Sequence, residues 1–305
     1  MQSNLKVSVC MLTYNHEKYI RQAIDSILAQ KTNFEYEILI NDNASTDATI
    51  QILEEYKTKY PEKIRLILHE KNMHNKGIQD AYVRYLFPLT RGKYIAMNDG
   101  DDYWVDENKL QLEVDYLDKH PECSICFHTA QVTFDNDDCE PTIMPSERMD
   151  YTLYNLLEKN YMRVNSIMYR KVKGMFGMNF KGCYGVDWSM NIDAACFGEI
   201  GYINRVMSVW RRHENSVSWN AHKSIPDLLK EHWLGIIIRY FEERKLFSKN
   251  ERARNITDSK IIVHLNALKH VGVRRRKKMY WILRLFLRFP VALLKVNSER
   301  KSRNE

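Results

Sequence analysis

Residues 6–28 read KVSVCMLTYNHEKYIRQAIDSIL, and this stretch decides the fold. Lys6–Leu12 is apolar and β-branched, the pattern of a strand covered on both faces. The polar run Thr13-Tyr14-Asn15-His16 interrupts it. Over Tyr19–Gln30, Ile20, Ala23, Ile24, Ile27 and Leu28 then recur at helical spacing, which predicts an amphipathic helix. The same alternation continues outward. Glu37–Ile40 is a second strand, Thr46–Tyr60 a second helix ended by Pro61, and Ile64–Leu68 and Tyr94–Met97 are further strands around an apolar helix at Ala81–Phe87. Such a chain is α/β: a mostly parallel sheet flanked by helices on both faces. Ligands of these sheets bind beyond the C-terminal ends of the strands. Thr13-Tyr14-Asn15, Asp42-Asn43 and Asp99-Gly100-Asp101-Asp102 fall at three such ends.

After Trp104 the pattern changes. A helix at Glu107–Lys119 leads to a strand at Ser124–Phe134, and strands at Val164–Tyr169 and Tyr202–Trp210 surround a helix at Asp187–Cys196. From Pro226 onward only helices are expected, including Leu228–Arg244 and Ile261–Val271. A soft boundary near Trp219 divides residues 1–219, which carry the chemistry, from a helical C-terminal extension over 220–305.

The net charge of +7 is unevenly spread: residues 271–305 hold 11 Lys/Arg against 2 Asp/Glu, leaving 35 basic and 37 acidic side chains elsewhere. A slightly acidic body with a basic end excludes a surface that coats nucleic acid throughout, and Arg274–Lys278 has no accompanying recognition motif. The 6 cysteines, including a lone Cys123/Cys126 pair, read as buried free thiols of a reducing cytoplasm. The apolar run at Val7–Leu12 is too short for a leader, so no secretion signal is expected.

Two carboxylates separated by one residue at a strand end, as in Asp99–Asp101, can face one hard cation. Mg²⁺ or Mn²⁺ would share such oxygens with a substrate diphosphate. A solvated acidic turn is the plain alternative, and the position after a parallel strand favours the site. Ser45 or Thr46 would cap the second helix, and Asp47 would favour its dipole. Asp42 precedes that cap and would point over the sheet edge towards a base or ribose.

Val9–Ile20 (VCMLTYNHEKYI), Ile38–Thr49 (ILINDNASTDAT), Ala96–Trp104 (AMNDGDDYW) and Arg205–Ser218 (RVMSVWRRHENSVS) together resemble family 2 glycosyltransferases of the GT-A (Rossmann-like) fold. The resemblance spans about residues 5–219. It implies that Thr13 and Asn15 lie beside the nucleotide, that Asp42 contacts the base, that Asp99 sits near ribose and metal, and that Asp101 binds the metal. It further implies a catalytic base at the start of a later helix, where Gly185-Val186-Asp187-Trp188 matches. Asp187 is the candidate, although Val186 stands where Glu is frequent, and a helix N-cap is its bland alternative. His213 would reach the metal or a phosphate, while an isolated histidine is more often structural. Arg211 and Arg212 would hold phosphate or be solvated.

The expected activity is inverting, Mn²⁺- or Mg²⁺-dependent transfer from a nucleotide-sugar donor, such as a UDP-sugar, to a hydroxyl of a glycan or lipid-linked acceptor in cell-surface polysaccharide synthesis. Two rivals stand beside it. A membrane-attached sugar-nucleotide binding subunit without catalysis would suit Val186. A sugar nucleotidyltransferase would need a glycine-rich loop where Thr13–Glu17 stands. Residues 274–294 join Arg-Arg-Arg-Lys-Lys to an apolar stretch of 16 residues broken by Arg284, Arg288 and Pro290. That stretch is short for a spanning helix and suits one lying in the headgroups of the inner face of the cell membrane.

Overall fold

The computed structural model describes residues 4–73, 80–135, 141–145, 150–213 and 225–267. Among them nine strands form one sheet: β1 (Leu5–Thr13), β2 (Glu35–Asp42), β3 (Ile64–Leu68), β4 (Tyr94–Asp99), β5 (Tyr103–Trp104), β6 (Cys123–Phe134), β7 (Thr142–Met144), β8 (Ile167–Arg170) and β9 (Glu199–Arg212). Their order is β3-β2-β1-β4-β8-β6-β9-β5, with β7 paired on β6. β3, β2, β1 and β4 are all parallel, as alternation with helices requires. β8 then enters antiparallel between β4 and β6, β9 runs parallel to β6, and the short β5 and β7 are antiparallel to their neighbours.

Strand periodicity sorts the core into two layers. Val7, Val9, Met11, Ile38, Ile40, Tyr94 and Ala96 face α1 (Ile20–Leu28), α2 (Thr49–Lys59) and α3 (Lys109–Lys119). The intervening Cys10, Leu39, Ile95 and Met97 face the opposite way, in one cluster with α4 (Leu153–Glu158), α5 (Val186–Ala195), α6 (Ile225–Leu246) and α7 (Glu251–Ala267). α1 buries Ile20, Ala23, Ile24 and Ile27, the residues its spacing picks out. Each such isoleucine is worth roughly 1.5–3 kcal/mol against exposure.

Several elements depart from expectation for local reasons. The helix at Ala81–Phe87 is a π-turn over Tyr82–Leu86, closed by the Phe87 N–H donating to the Tyr82 carbonyl, followed by a 3₁₀ turn at Phe87–Leu89. Pro88 cannot continue an α-helix. Ser45 and Thr46 do not cap α2, which starts at Thr49. Ala44 takes a left-handed turn (φ 63°) ahead of it, and Asp47 Oδ1 accepts from the Thr49 N–H instead. α7 begins at Glu251, where Asn250 Oδ1 accepts from the Ala253 N–H as an N-cap. Of the thiols, Cys10, Cys123, Cys126 and Cys183 are buried but Cys196 is exposed.

Ile237, Phe241, Phe247, Ala253 and Ile261 of the C-terminal helices share the cluster that holds Leu156, Val186 and Met190. Trp219 and residues 274–294 lie outside the described residues. Among the described residues no helix is long and apolar enough to cross a membrane.

Candidate active site

The three polar strand ends meet because of register. Thr13 pairs with Asp42 across β1 and β2, and Leu12 pairs with Asp99 across β1 and β4. The chain then folds back over β1, with the Gly100 N–H donating to the Leu12 carbonyl at 2.8 Å. A Cβ at Gly100 would lie 2.8 Å from Thr13 Cβ and 2.9 Å from His16 Nδ1, so only glycine allows this approach.

On the β2 side, Asp42 is fully buried and does not stand free over the sheet edge. Its Oδ1 accepts from the Ser45 N–H at 2.8 Å and its Oδ2 from the Ser45 hydroxyl at 2.5 Å. Ser45 Oγ in turn accepts from the Asn15 N–H, and Asn15 Oδ1 accepts from the Thr46 N–H at 2.7 Å. Asn15 takes φ 54°, a left-handed conformation that asparagine tolerates. Asp42, Ser45, Asn15 and Thr46 thus latch the loops after β1 and β2 to one another. Glu17 and Asp47 tighten the latch: each accepts a backbone N–H from the other's loop.

Asp101 is the common member of two groups whose ligand atoms lie within 4.8 Å of one another: Asp99, Asp101 and Asp102, and His16, Asp101 and His213. His213 Nε2 is 3.1 Å from Asp101 Oδ2 and His16 Nε2 is 3.8 Å from it. Tyr82 donates to Asp99 Oδ1 at 2.5 Å. Burial, joined by the charge of Asp101, pushes Asp99 up to about 7. Burial also works to raise Asp101, but its hydrogen bond to His213 and the charges of both histidines outweigh it and hold this carboxyl below the usual range. Asp102 is a brace: its Oδ1 accepts from the Arg211 N–H at 2.9 Å and ties the acidic loop to β9. The Arg211 guanidinium completes that brace, donating to the Asp101 carbonyl and to Gln22 Oε1 and packing on the Tyr19 and Tyr103 rings.

These residues fit a divalent cation. They offer hard carboxylate oxygens with imidazole nitrogens beside them. Thr13 Oγ1 and His16 Nδ1, at the same spot, are buried and meet no hydrogen-bond partner among the described residues.

Asp187 stands in the first turn of α5, which Gly185 enters in left-handed conformation (φ 74°). Gly185 is the N-cap, so Asp187 makes no cap bond. Asn160 Nδ2 donates to its Oδ2 at 3.2 Å. Its charge acts on both Asp99 and Arg163, so it lies within electrostatic reach of the acidic cluster and of that arginine. Val186 is 8% exposed and belongs to the apolar cluster, which explains its departure from an acid: that side chain is core.

Sequence reasoning missed His16, Tyr82 and Asn160 as site residues. His16 had a signal, three positions beyond Thr13 on the same strand-end loop. Tyr82 and Asn160 gave none, since only the tertiary fold brings them to Asp99 and Asp187.

Comparison with known proteins follows the same outline. A family model described as glycosyl transferase family 2 matches residues 8–181. An uncharacterised protein of Mycobacterium tuberculosis is 36% identical over 217 residues, 71% of this chain, and the chain spans only 61% of that relative's length. The poly(ribitol-phosphate) beta-N-acetylglucosaminyltransferase TarS of Staphylococcus aureus is 31% identical over 117 residues, 38% of this chain and 19% of TarS. The crystal structure of TarS 1–349 in complex with UDP-GlcNAc is similar with a TM-score of 0.60 at 21% identity, covering 92% of this chain and 79% of that one. The mannosyltransferase PcManGT of Pyrobaculum calidifontis, in complex with GDP-Man and Mn²⁺, is similar with a TM-score of 0.50 at 14% identity, over 98% and 88% of the two chains. These structural likenesses identify the fold as GT-A.

Proposed function

The chain belongs to glycosyl transferase family 2, and on that premise we propose that it transfers a sugar, with inversion, from a nucleotide-sugar donor to a hydroxyl of a glycan or lipid-linked acceptor. The observation that carries this reading is the gathering of Asp99, Asp101 and His213 at one strand-end rim, with Asp187 within electrostatic reach. Support for the donor class comes from relatives whose structures hold UDP-GlcNAc and GDP-Man.

In this reading the latched loops of Thr13, Asn15 and Asp42 shape the nucleotide end. Asp42 adds its remaining lone pairs, since each carboxylate oxygen accepts more than one hydrogen bond. Asp101, Asp99 and His213 would hold Mn²⁺ or Mg²⁺, which when bound supplies positive charge against the donor diphosphate. Asp187 takes the proton from the acceptor hydroxyl as that oxygen attacks the anomeric carbon, and Asn160 fixes the carboxylate for the task. One base suffices, because inversion needs no covalent enzyme intermediate.

The setting we propose is synthesis of cell-surface polysaccharide, in the cytoplasm against the inner membrane face. The basic, apolar residues 274–294 would make the contact. Removing residues 272–305 is then expected to release the protein from membrane fractions, and unchanged sedimentation would refute the contact. The transferase reading is tested by incubating the protein with UDP-GlcNAc and MnCl₂ and measuring UDP release with and without EDTA. Wild-type release that EDTA suppresses, and that Asp101→Asn lacks, is expected. Equal release by both proteins would overturn it.

A further inference from the structure

Beside Asp187 lies an arginine that the mechanism does not use. Arg163 stands at the start of the 3₁₀ turn Val164–Ser166, three residues after the Asn160 that holds the base. Its guanidinium carbon lies over the Trp210 ring, 4.3 Å from the centroid, and Arg212 approaches the same ring at 5.5 Å. Burial depresses the Arg163 pKa, and the repulsion of the second cation on the same indole, Arg212, adds to it. Natural arginines in such settings are matched by carboxylates. Among the described residues, however, the Arg163 guanidinium donates no hydrogen bond and joins no ion pair, and its Nε is buried without a partner. The charge acting on it most strongly is that of Asp187, followed by Arg212 and Asp102. Asp102 makes no hydrogen bond or ion pair to Arg163; its Oδ1 accepts from the Arg211 N–H. A planar, ring-stacked guanidinium with its donors unused is preorganised for a bidentate oxyanion.

The side of the pocket on which it lies identifies that anion. Asn160, three residues before Arg163, holds the Asp187 carboxylate, whereas the donor diphosphate is assigned above to the rim of Asp99, Asp101, His16 and His213. An acceptor hydroxyl must come within hydrogen-bond reach of Asp187. What lies next to that hydroxyl, on the side of residues 160–163, meets Arg163. We infer that the acceptor is anionic and carries a phosphate group near its reacting hydroxyl, and that Arg163, held on Trp210 with Arg212 beside it, is the residue that selects it. This rests on the transferase reading, with Asp187 as base.

The test uses the full-length protein with UDP and MnCl₂ present, and titrates glycerol 1-phosphate, glycerol and farnesyl phosphate by calorimetry. Wild type is expected to bind glycerol 1-phosphate and not glycerol over the same range. Arg163→Gln should weaken that binding about tenfold or more, as loss of a charge-assisted pair does. Arg163→Lys should recover part of it, and UDP affinity should stay within twofold for both variants. Melting temperatures of the variants verify that they fold. A preference between the two phosphates names a polyol or a lipid as carrier, and dependence on Arg163 in either case supports the assignment. Glycerol 1-phosphate binding that is absent, or indifferent to Arg163→Gln, overturns the inference. So does a parallel fall in UDP affinity, which would assign the arginine to the donor. Failure of wild type to bind either UDP or GDP would instead overturn the transferase reading itself.

Discussion

The two sides of the candidate site are built on opposite principles. Around β1, β2 and β4 most of the carboxylates and amides are already bonded to another part of the protein: Asp42 to Ser45, Asn15 to Thr46, Asp99 to Tyr82, Asp102 to Arg211. Around Asp187 the polar groups are sparsely held. The base has one amide donor at 3.2 Å and Arg163 has no polar partner among the described residues. The first side is a rigid frame suited to one invariant ligand part, the nucleotide diphosphate. The second keeps its bonding capacity for whatever the acceptor brings. Preorganisation is costly to change and belongs where the chemistry is constant.

This contrast can be broken in a graded way. The largest effect is expected from Asp187→Asn, which keeps the shape and removes the base: transfer should fall about a thousandfold while UDP affinity is unchanged. Turnover and calorimetry on one preparation check both halves of that statement. Asp101→Asn should cost transfer about a hundredfold and also weaken UDP binding in MnCl₂, since it strips the frame of its central carboxylate. If both variants lost UDP affinity equally, the two sides would not be separate. Within the frame, Ser45→Ala removes the hydroxyl shared by Asp42 and Asn15. We expect about 1 kcal/mol of stability lost and a rise in donor KM of about tenfold, with kcat little altered.

The smallest effect serves as a control far from either side. Asp118 accepts from Lys93 at 2.6 Å and Tyr94 at 2.5 Å near the opposite strand ends. Although partial burial opposes it, those two hydrogen bonds lower its pKa to about 2. A depressed carboxyl adds stability that is full above the unfolded pKa, near 4, and is lost as pH falls towards 2. Asp118→Asn should therefore lower urea stability at pH 6, by less than about 1 kcal/mol given its exposure, and by roughly half as much at pH 3. Transfer activity should not change.

How much of this could be read in advance differs between the same two sides. β1 and β3 were legible because β-branched runs and their polar ends are local signals, and Asp99-Gly100-Asp101 was legible as a strand-end pair. Asp187 could be placed only through the family resemblance, and Val186 obscured it until burial in the core accounted for that residue. Arg163 carried no signal at all. Its meaning depends on Trp210, 47 positions away, lying under its guanidinium. Asp42 shows the converse: its position was foreseen, but its two bonds to Ser45 depend on a left-handed Ala44 that no propensity suggests.

The π-turn over Tyr82–Leu86 has a consequence for how this chain can vary. Such a turn carries one residue more than an α-turn, and its first residue, Tyr82, donates its hydroxyl to Asp99. Substitution within the turn alters side chains but leaves the count intact. Removing a single codon there would swing the tyrosine by roughly 100° and uncouple it from the acid, so family members should differ at this point in length before they differ in composition.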